Sequence, residues 1–194
     1  MKLTTLLAVV LLAVAPPING SELEIRIDPD STSIAFTLGA TMHSVHGSVK
    51  TTAGALRLDT GSGVMEGEVT VDATSAETGN KKRDRKMHTK VLLTDSHPWI
   101  VLHARRLEGE LAPAGESNIT FHGNMEILGQ PHEVEIPLRV EINGGRFTAS
   151  AEFEVPYVEW GLKDPSTFVL RVAKEVVVTV TAKGTVTIPA ETQK

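Results

Sequence analysis

Apolar and polar residues alternate with a period of two along most of the chain. Ile34, Phe36 and Leu38 alternate with Ser33, Ala35 and Thr37. Met65, Gly67, Val69, Val71 and Ala73 alternate with Glu66, Glu68, Thr70 and Asp72. Ile119, Phe121, Gly123, Met125 and Ile127 alternate with Asn118, Thr120, His122, Asn124 and Glu126. The same pattern runs through Val134, Ile136, Leu138, Val140 and Ile142, through Phe147, Ala149, Ala151, Phe153 and Val155, and from Val176 to Ile188. Each run predicts a strand with one wet and one dry face. Such strands pair antiparallel, because parallel sheets are covered on both faces.

The turn residues agree. Asn143-Gly144 lies between two alternating runs and tolerates the positive φ of a hairpin turn, while residues 60–63 and 128–131 supply further tight connections. Strands in this number must hide their edges by closing or stacking, and long alternating runs suit a tilted barrel. One stretch departs from the period. Residues 78–91 carry Lys81, Lys82, Arg83, Asp84, Arg85, Lys86 and Lys90, with Asn80 placed to cap. This predicts one short helix around residues 80–91, turning Met87 and Val91 inward. The expected fold is therefore all-β, a closed antiparallel β-barrel of about eight strands with one short helix.

Composition narrows the chemistry. The 194 residues suffice for one domain with its own core. The chain has no cysteine, which removes thiolate metal sites, disulfides and a cysteine nucleophile. A formal net charge of −5 leaves no basic surplus for nucleic acid. Five Phe, two Trp and one Tyr leave the core to aliphatic side chains.

At the start, Met1 and Lys2 precede an apolar run from Leu3 to Ala15, broken by Pro16, Pro17, Asn19 and Gly20. This layout predicts a secretory signal peptide over residues 1–20, a mature domain over 21–194, and a periplasmic or secreted location. The run is short for a bilayer, and no later segment is apolar enough to cross one.

No catalytic motif emerges. Among the seven histidines none has a second ligand at helical or strand spacing, so surface and hydrogen-bonding roles are expected rather than a metal site. Gly61, Gly63 and Gly67 punctuate a hairpin instead of cradling a phosphate. Glu66, Glu68, Glu133, Glu135 and Glu141 read as a solvated exterior. The basic run 81–90 reads either as a solvated helix face or as a surface for an anionic head group or membrane. Tyr157 and Trp160 lie in a Pro- and Gly-bounded loop, where amphipathic rings rim a cavity or cap a core.

The order of short motifs resembles the YceI-like family. The likeness rests on Ile27-Asp28-Pro29, Ser33-Ile34-Ala35-Phe36 and Val45-His46-Gly47, then Val71-Asp72-Ala73-Thr74-Ser75, Thr78-Gly79-Asn80 and Arg83-Asp84. It continues in Pro98-Trp99-Ile100, His122-Gly123 and Ile127-Leu128-Gly129, covering about residues 25–188. The resemblance implies a lipocalin-like barrel holding a polyisoprenoid or quinone tail, exported and without catalytic activity.

Strand parity then gives a candidate lining. Phe36, Leu38, Val69, Val71, Phe121, Met125, Phe147 and Phe153 are expected to face the interior, with Tyr157, Trp160 and Phe168 near a mouth. The small residues Gly67, Ala73, Gly123, Ala149 and Ala151 are expected to leave volume open. The expected partner is an isoprenoid-type lipid, with no cofactor and no metal, and a homodimer is left open. Two alternatives stand beside this reading. One is a secreted structural or protein-binding barrel with a filled core. The other is an enzyme whose groups converge only in three dimensions, with His43, His88 and Asp84 as first suspects.

Overall fold

The computed structural model describes residues 22–41, 43–168 and 171–188; the expected signal peptide lies outside them. Nine strands form one sheet among these residues. They are β1 (Glu22–Ile27), β2 (Ser33–Leu38), β3 (Val45–Asp59), β4 (Met65–Glu77), β5 (Trp99–Glu108), β6 (Gly115–Ile127), β7 (Gln130–Asn143), β8 (Arg146–Val155) and β9 (Val176–Thr187). Every pairing is antiparallel. From β3 to β9 each strand pairs with the next, and the ring closes through β1 and β2.

Nine strands make eight staves because β1 and β2 share one place. Both pair with β3 on one side and β9 on the other, β2 near Val45 and Val177, β1 near Asp59 and Thr187. A 3₁₀ turn, Pro29–Ser31, separates them. Pro29 opens that turn with its φ already set, and the Asp28 carboxylate accepts from the Asp30 amide at 3.1 Å and the Ser31 hydroxyl at 2.7 Å. The result is a closed eight-staved antiparallel barrel with no free edge.

The helix forms where the basic run predicts it, in two pieces. In α1 (Lys81–Lys86) the Asn80 side chain caps the start, accepting from the amides of Lys82 and Arg83 at 3.1 Å each. A π-helical turn, Met87–Leu92, follows and ends on Leu93 in the left-handed region.

Hairpin geometry moves one expectation by a residue. Asn143 pairs with Arg146, so the turn centre is Gly144-Gly145, both at positive φ, rather than Asn143-Gly144.

The longest strand, β3, is absent from the alternating runs, and the sheet shows why. Its register shifts between Ser48 and Lys50 and again between Thr51 and Ala53. Val45, Val49 and Thr51 face inward at odd positions, but Leu56 does so at an even one. An extra residue in one strand reverses every later side chain. β5 does the same between Ala104 and Arg106.

Candidate binding cavity

The two ends of the barrel are built differently. Hairpins 60–64 and 144–145 and the connection 109–114 gather at one end. There Leu58, Met65, Leu107, Ile119, Ile142 and Phe147 form a buried cluster with Phe121, Ile136 and Val140. At the other end lie α1, the π turn, residues 128–129 and the segment 156–168. A smaller cluster of Ile127, Val155, Tyr157 and Leu162 packs there.

Between them the barrel holds a cavity of about 720 Å³. Small-molecule sites commonly fall between about 300 and 1,000 Å³. Its wall is aliphatic and aromatic along nearly all of its length. The polar lining residues are few. Thr78, Asn80, Lys82, Arg83 and Lys86 sit at the helix end, and Thr32 and Thr51 lie on the wall. Thr51 is buried, and its hydroxyl has no hydrogen-bond partner among the described residues.

Nine of the side chains singled out from strand parity and the loop face this cavity: Phe36, Leu38, Val69, Val71, Phe121, Met125, Phe147, Phe153 and Tyr157. The other two do not. Trp160 stacks on His132, ring centroids 4.3 Å apart and 4° from parallel, and is absent from the lining. Phe168 is 99% exposed. A strand's parity fixes where its side chains point, whereas a loop's does not. Tyr157 is held because Val155 before it ends β8 and its hydroxyl donates to the Ala173 carbonyl at 2.7 Å. Burial, with the Asp164 charge second, pushes its phenol up to about 12.

The small residues divide as well. Ala73, Ala149 and Ala151 line the cavity. Gly123 does not open it, because a Cβ there would lie 2.3 Å from the His103 carbonyl oxygen and 2.7 Å from the Phe121 ring. Gly67 has a φ of 103°, and a Cβ there would lie 2.2 Å from the Ala55 carbonyl oxygen. That glycine serves a backbone conformation rather than volume.

Sequence reasoning missed the cavity residues on β1, β3 and β5, among them Ile25, Ile27, Val49, Leu56 and Leu102. The Leu23, Ile25, Ile27 alternation was a usable signal for β1. For β3 and β5 the bulges broke it.

The mouth has one more feature. The Arg83 guanidinium donates through Nε to the Thr78 hydroxyl at 2.7 Å and through one Nη to the Thr78 carbonyl at 2.9 Å. Asp84 accepts from the Thr78 amide at 3.0 Å and from its hydroxyl. The Lys86 ammonium donates to the Pro165 carbonyl at 3.1 Å, joining the helix to the segment opposite.

The suspected histidine–acid site does not assemble around a shared space. His88 contacts the Ala76 carbonyl at 2.9 Å, Asp84 is turned to Thr78, and His43 is exposed before β3. On the outer wall His103 lies between Glu68 and Glu126, at 3.5 and 3.6 Å, and His122 between Glu108 and Glu135, at 3.2 and 3.6 Å. No group of three or more His, Asp or Glu side chains among the described residues is arranged to hold a metal ion.

The model of the YceI-like domain matches residues 26–187. The chain belongs to the YceI-like family. Solved structures with the same fold include BcnA of Burkholderia cenocepacia, at 17% identity and a TM-score of 0.68 over 82% of this chain and 99% of that one. A polyisoprenoid binding domain from Saccharophagus degradans matches at 13% identity and 0.63, over 83% and 97%. The Campylobacter jejuni YceI protein matches at 12% and 0.62, over 75% and 86%. No curated protein matches in sequence. At these identities the solved structures establish the shared YceI-like fold.

Proposed function

We propose that this protein is an exported, non-catalytic carrier that holds a long isoprenoid-type lipid, a polyisoprenoid or a quinone tail, inside its barrel. The observation that carries the reading is the apolar lumen of about 720 Å³, walled by aliphatic and phenyl groups apart from Thr32 and Thr51 and charged only at the helix end. Burial of apolar surface contributes about 25 cal/mol per Å², so a methyl-rich chain needs no polar contact along its length. Phe36, Leu38, Val69, Val71, Phe121, Met125, Phe147 and Phe153 would touch the chain, with Tyr157 near the mouth. The polyisoprenoid binding domain with this fold supports the ligand class. The leader-like sequence of residues 1–20 supports export to the periplasm or out of the cell.

The test is organic extraction of natively purified protein followed by mass spectrometry, with uptake of an isoprenoid quinone followed by fluorescence. Co-purified isoprenoid and saturable uptake are expected. A protein that yields no lipid and takes up no quinone would sink the reading. Cleavage near residue 20 is checked by sequencing the N-terminus of the exported protein.

A further inference from the structure

The helical segment at the open end has two unlike faces. Between Lys81 and Lys90 the half-buried residues are Arg83, Asp84, Met87 and His88, and the exposed ones are Lys81, Lys82, Arg85, Lys86, Thr89 and Lys90. Every exposed residue but Thr89 is a cation. The one carboxylate of the run, Asp84, is turned inward onto Thr78. None of the exposed cations has a carboxylate within 4.0 Å among the described residues. Lys82 and Lys86 also line the lumen, but Lys81, Arg85 and Lys90 do not. Their charges point to a partner outside the barrel.

Exposed apolar side chains stand beside this face. Leu93 follows the π turn and is 42% exposed, and Trp99 opens β5 and is 50% exposed. The turn between them is tied back by the Ser96 and His97 amides, which donate to the Leu93 carbonyl at 2.9 Å. Phe168, fully exposed, belongs to the segment that the Lys86–Pro165 bond joins to the helix. Single exposed apolar residues are ordinary. Two rings and a leucine beside a cationic face suit a lipid surface, where amphipathic rings sit at headgroup level and cations meet anionic phosphates.

Charge separates this end from the other. Val64 and Ile188 are also exposed, but at the sealed end, where Glu22, Asp59, Glu66, Glu108 and Glu110 are exposed with them. At the helix end the exposed carboxylates Glu77, Asp95, Glu159 and Glu175 are outnumbered, because Lys163, Arg171 and Lys174 join the five cations of the helical face. The net charge of −5 does not cancel this pole. Charges are screened beyond about 8 Å at physiological salt, and a ten-residue strand such as β8 rises roughly 30 Å. With the mouth against an anionic surface, the helical face lies within one screening length of it. The carboxylates of the sealed end then lie more than about two lengths away, even with the strands tilted.

We infer that the exposed face of residues 81–90, together with Leu93, Trp99 and Phe168, docks the protein on an anionic phospholipid bilayer with the mouth of the lumen toward the membrane. The docking needs only this surface. Its use rests on the carrier reading above, since an isoprenoid chain would then pass between bilayer and lumen without crossing water.

The test is co-flotation of the purified protein with vesicles that hold no isoprenoid. Vesicles of equal parts phosphatidylglycerol and phosphatidylcholine carry the anionic surface, and pure phosphatidylcholine is the neutral comparison. The protein should float with the anionic vesicles only, and less so as salt is raised. The variant K81Q/R85Q/K90Q, which leaves the lumen lining untouched, should lose about a hundredfold in partition, at about fivefold per cation near such a surface. The variant W99S/F168S should lose at least about fivefold. The chain has two tryptophans, so W160F leaves Trp99 alone to report, and its emission should shift to shorter wavelength on anionic vesicles. Uptake of isoprenoid quinone from a vesicle-free dispersion should be unchanged in the triple and double variants, which also shows that they are folded.

Three results would overturn the inference. They are no flotation with anionic vesicles, full partition in K81Q/R85Q/K90Q, and an unshifted Trp99 emission, which would mean that the mouth does not face the bilayer. Failed docking with normal quinone uptake removes the docking surface alone. Docking as expected by a protein that takes up no quinone supports the surface and removes the carrier reading.

Discussion

The two ends of this barrel solve opposite problems with the same strands. At the hairpin end Leu58, Met65, Leu107, Ile119, Ile142 and Phe147 meet across the lumen and seal it. Leu58 is only 2% exposed. At the helix end Lys82, Arg83 and Lys86 of α1 line the lumen, and the Lys86 ammonium donates to the Pro165 carbonyl of the segment 156–168. Large side chains from opposite staves fill one end. At mid-barrel, alanines on β8 and β9 (Ala149, Ala151 and Ala182) leave the wall thin. The difference teaches that stability and capacity are divided along the barrel axis. Close packing concentrates at the sealed end, and the ligand volume is kept where packing is incomplete.

The largest expected effect tests that division. Leu58→Ala at the sealed end should cost about 2–5 kcal/mol in urea unfolding, as large-to-small changes in a packed core do. Met87→Ala, at the mouth and partly buried, should cost less than about 1.5 kcal/mol. Equal costs would break the comparison.

The capacity side is sharpened by Ala151→Phe, which projects a ring into the lumen. Isoprenoid quinone uptake should fall at least about tenfold, while stability changes by under about 1.5 kcal/mol because the ring occupies open volume. Retained uptake would mean that the chain lies elsewhere.

Two hydroxyls give a smaller contrast. Tyr157→Phe removes the bond to the Ala173 carbonyl and should cost about 1 kcal/mol. Thr51→Val removes a buried hydroxyl that has no partner, and should leave stability unchanged or raised. A costly Thr51→Val would show that the hydroxyl is satisfied in solution.

The smallest effects are those of pH. The Tyr157 phenol is raised from 10.0 to about 12 by burial, with Asp164 contributing second. Its contribution is therefore complete below pH 10.0 and is lost as pH rises through that interval, and Tyr157→Phe should remove this alkaline limb. Carboxyl groups act in the other direction. Asp59 is lowered by hydrogen bonds from Ser62, and Asp164 by hydrogen bonds from Ser166. Both stabilise the fold above 3.8 and stop doing so as pH falls through their lowered values. Asp59→Asn should flatten the acid limb of a thermal-unfolding profile at the sealed end, and Asp164→Asn should do so at the mouth.

Alternation by itself determined that this chain is antiparallel, one face wet and one dry, and that Phe36, Phe121, Phe147 and Phe153 point the same way as their strand neighbours. It also placed the helix, because a charge run with a capping asparagine cannot continue a two-residue period. A single strand's period is a local property, readable without knowing its partners. Only the tertiary structure decided that β1 and β2 share one stave, since that follows from which strands flank them. It alone located the bulges of β3 and β5, which are defined by the partner strand's register. It separated Tyr157 from Trp160 and Phe168, because a loop residue's direction is set by what it packs against. Tertiary structure also gave the basic run its place. Lys82, Arg83 and Lys86 look like any solvated helix face along the chain, and only barrel closure brings them to the rim of an apolar lumen.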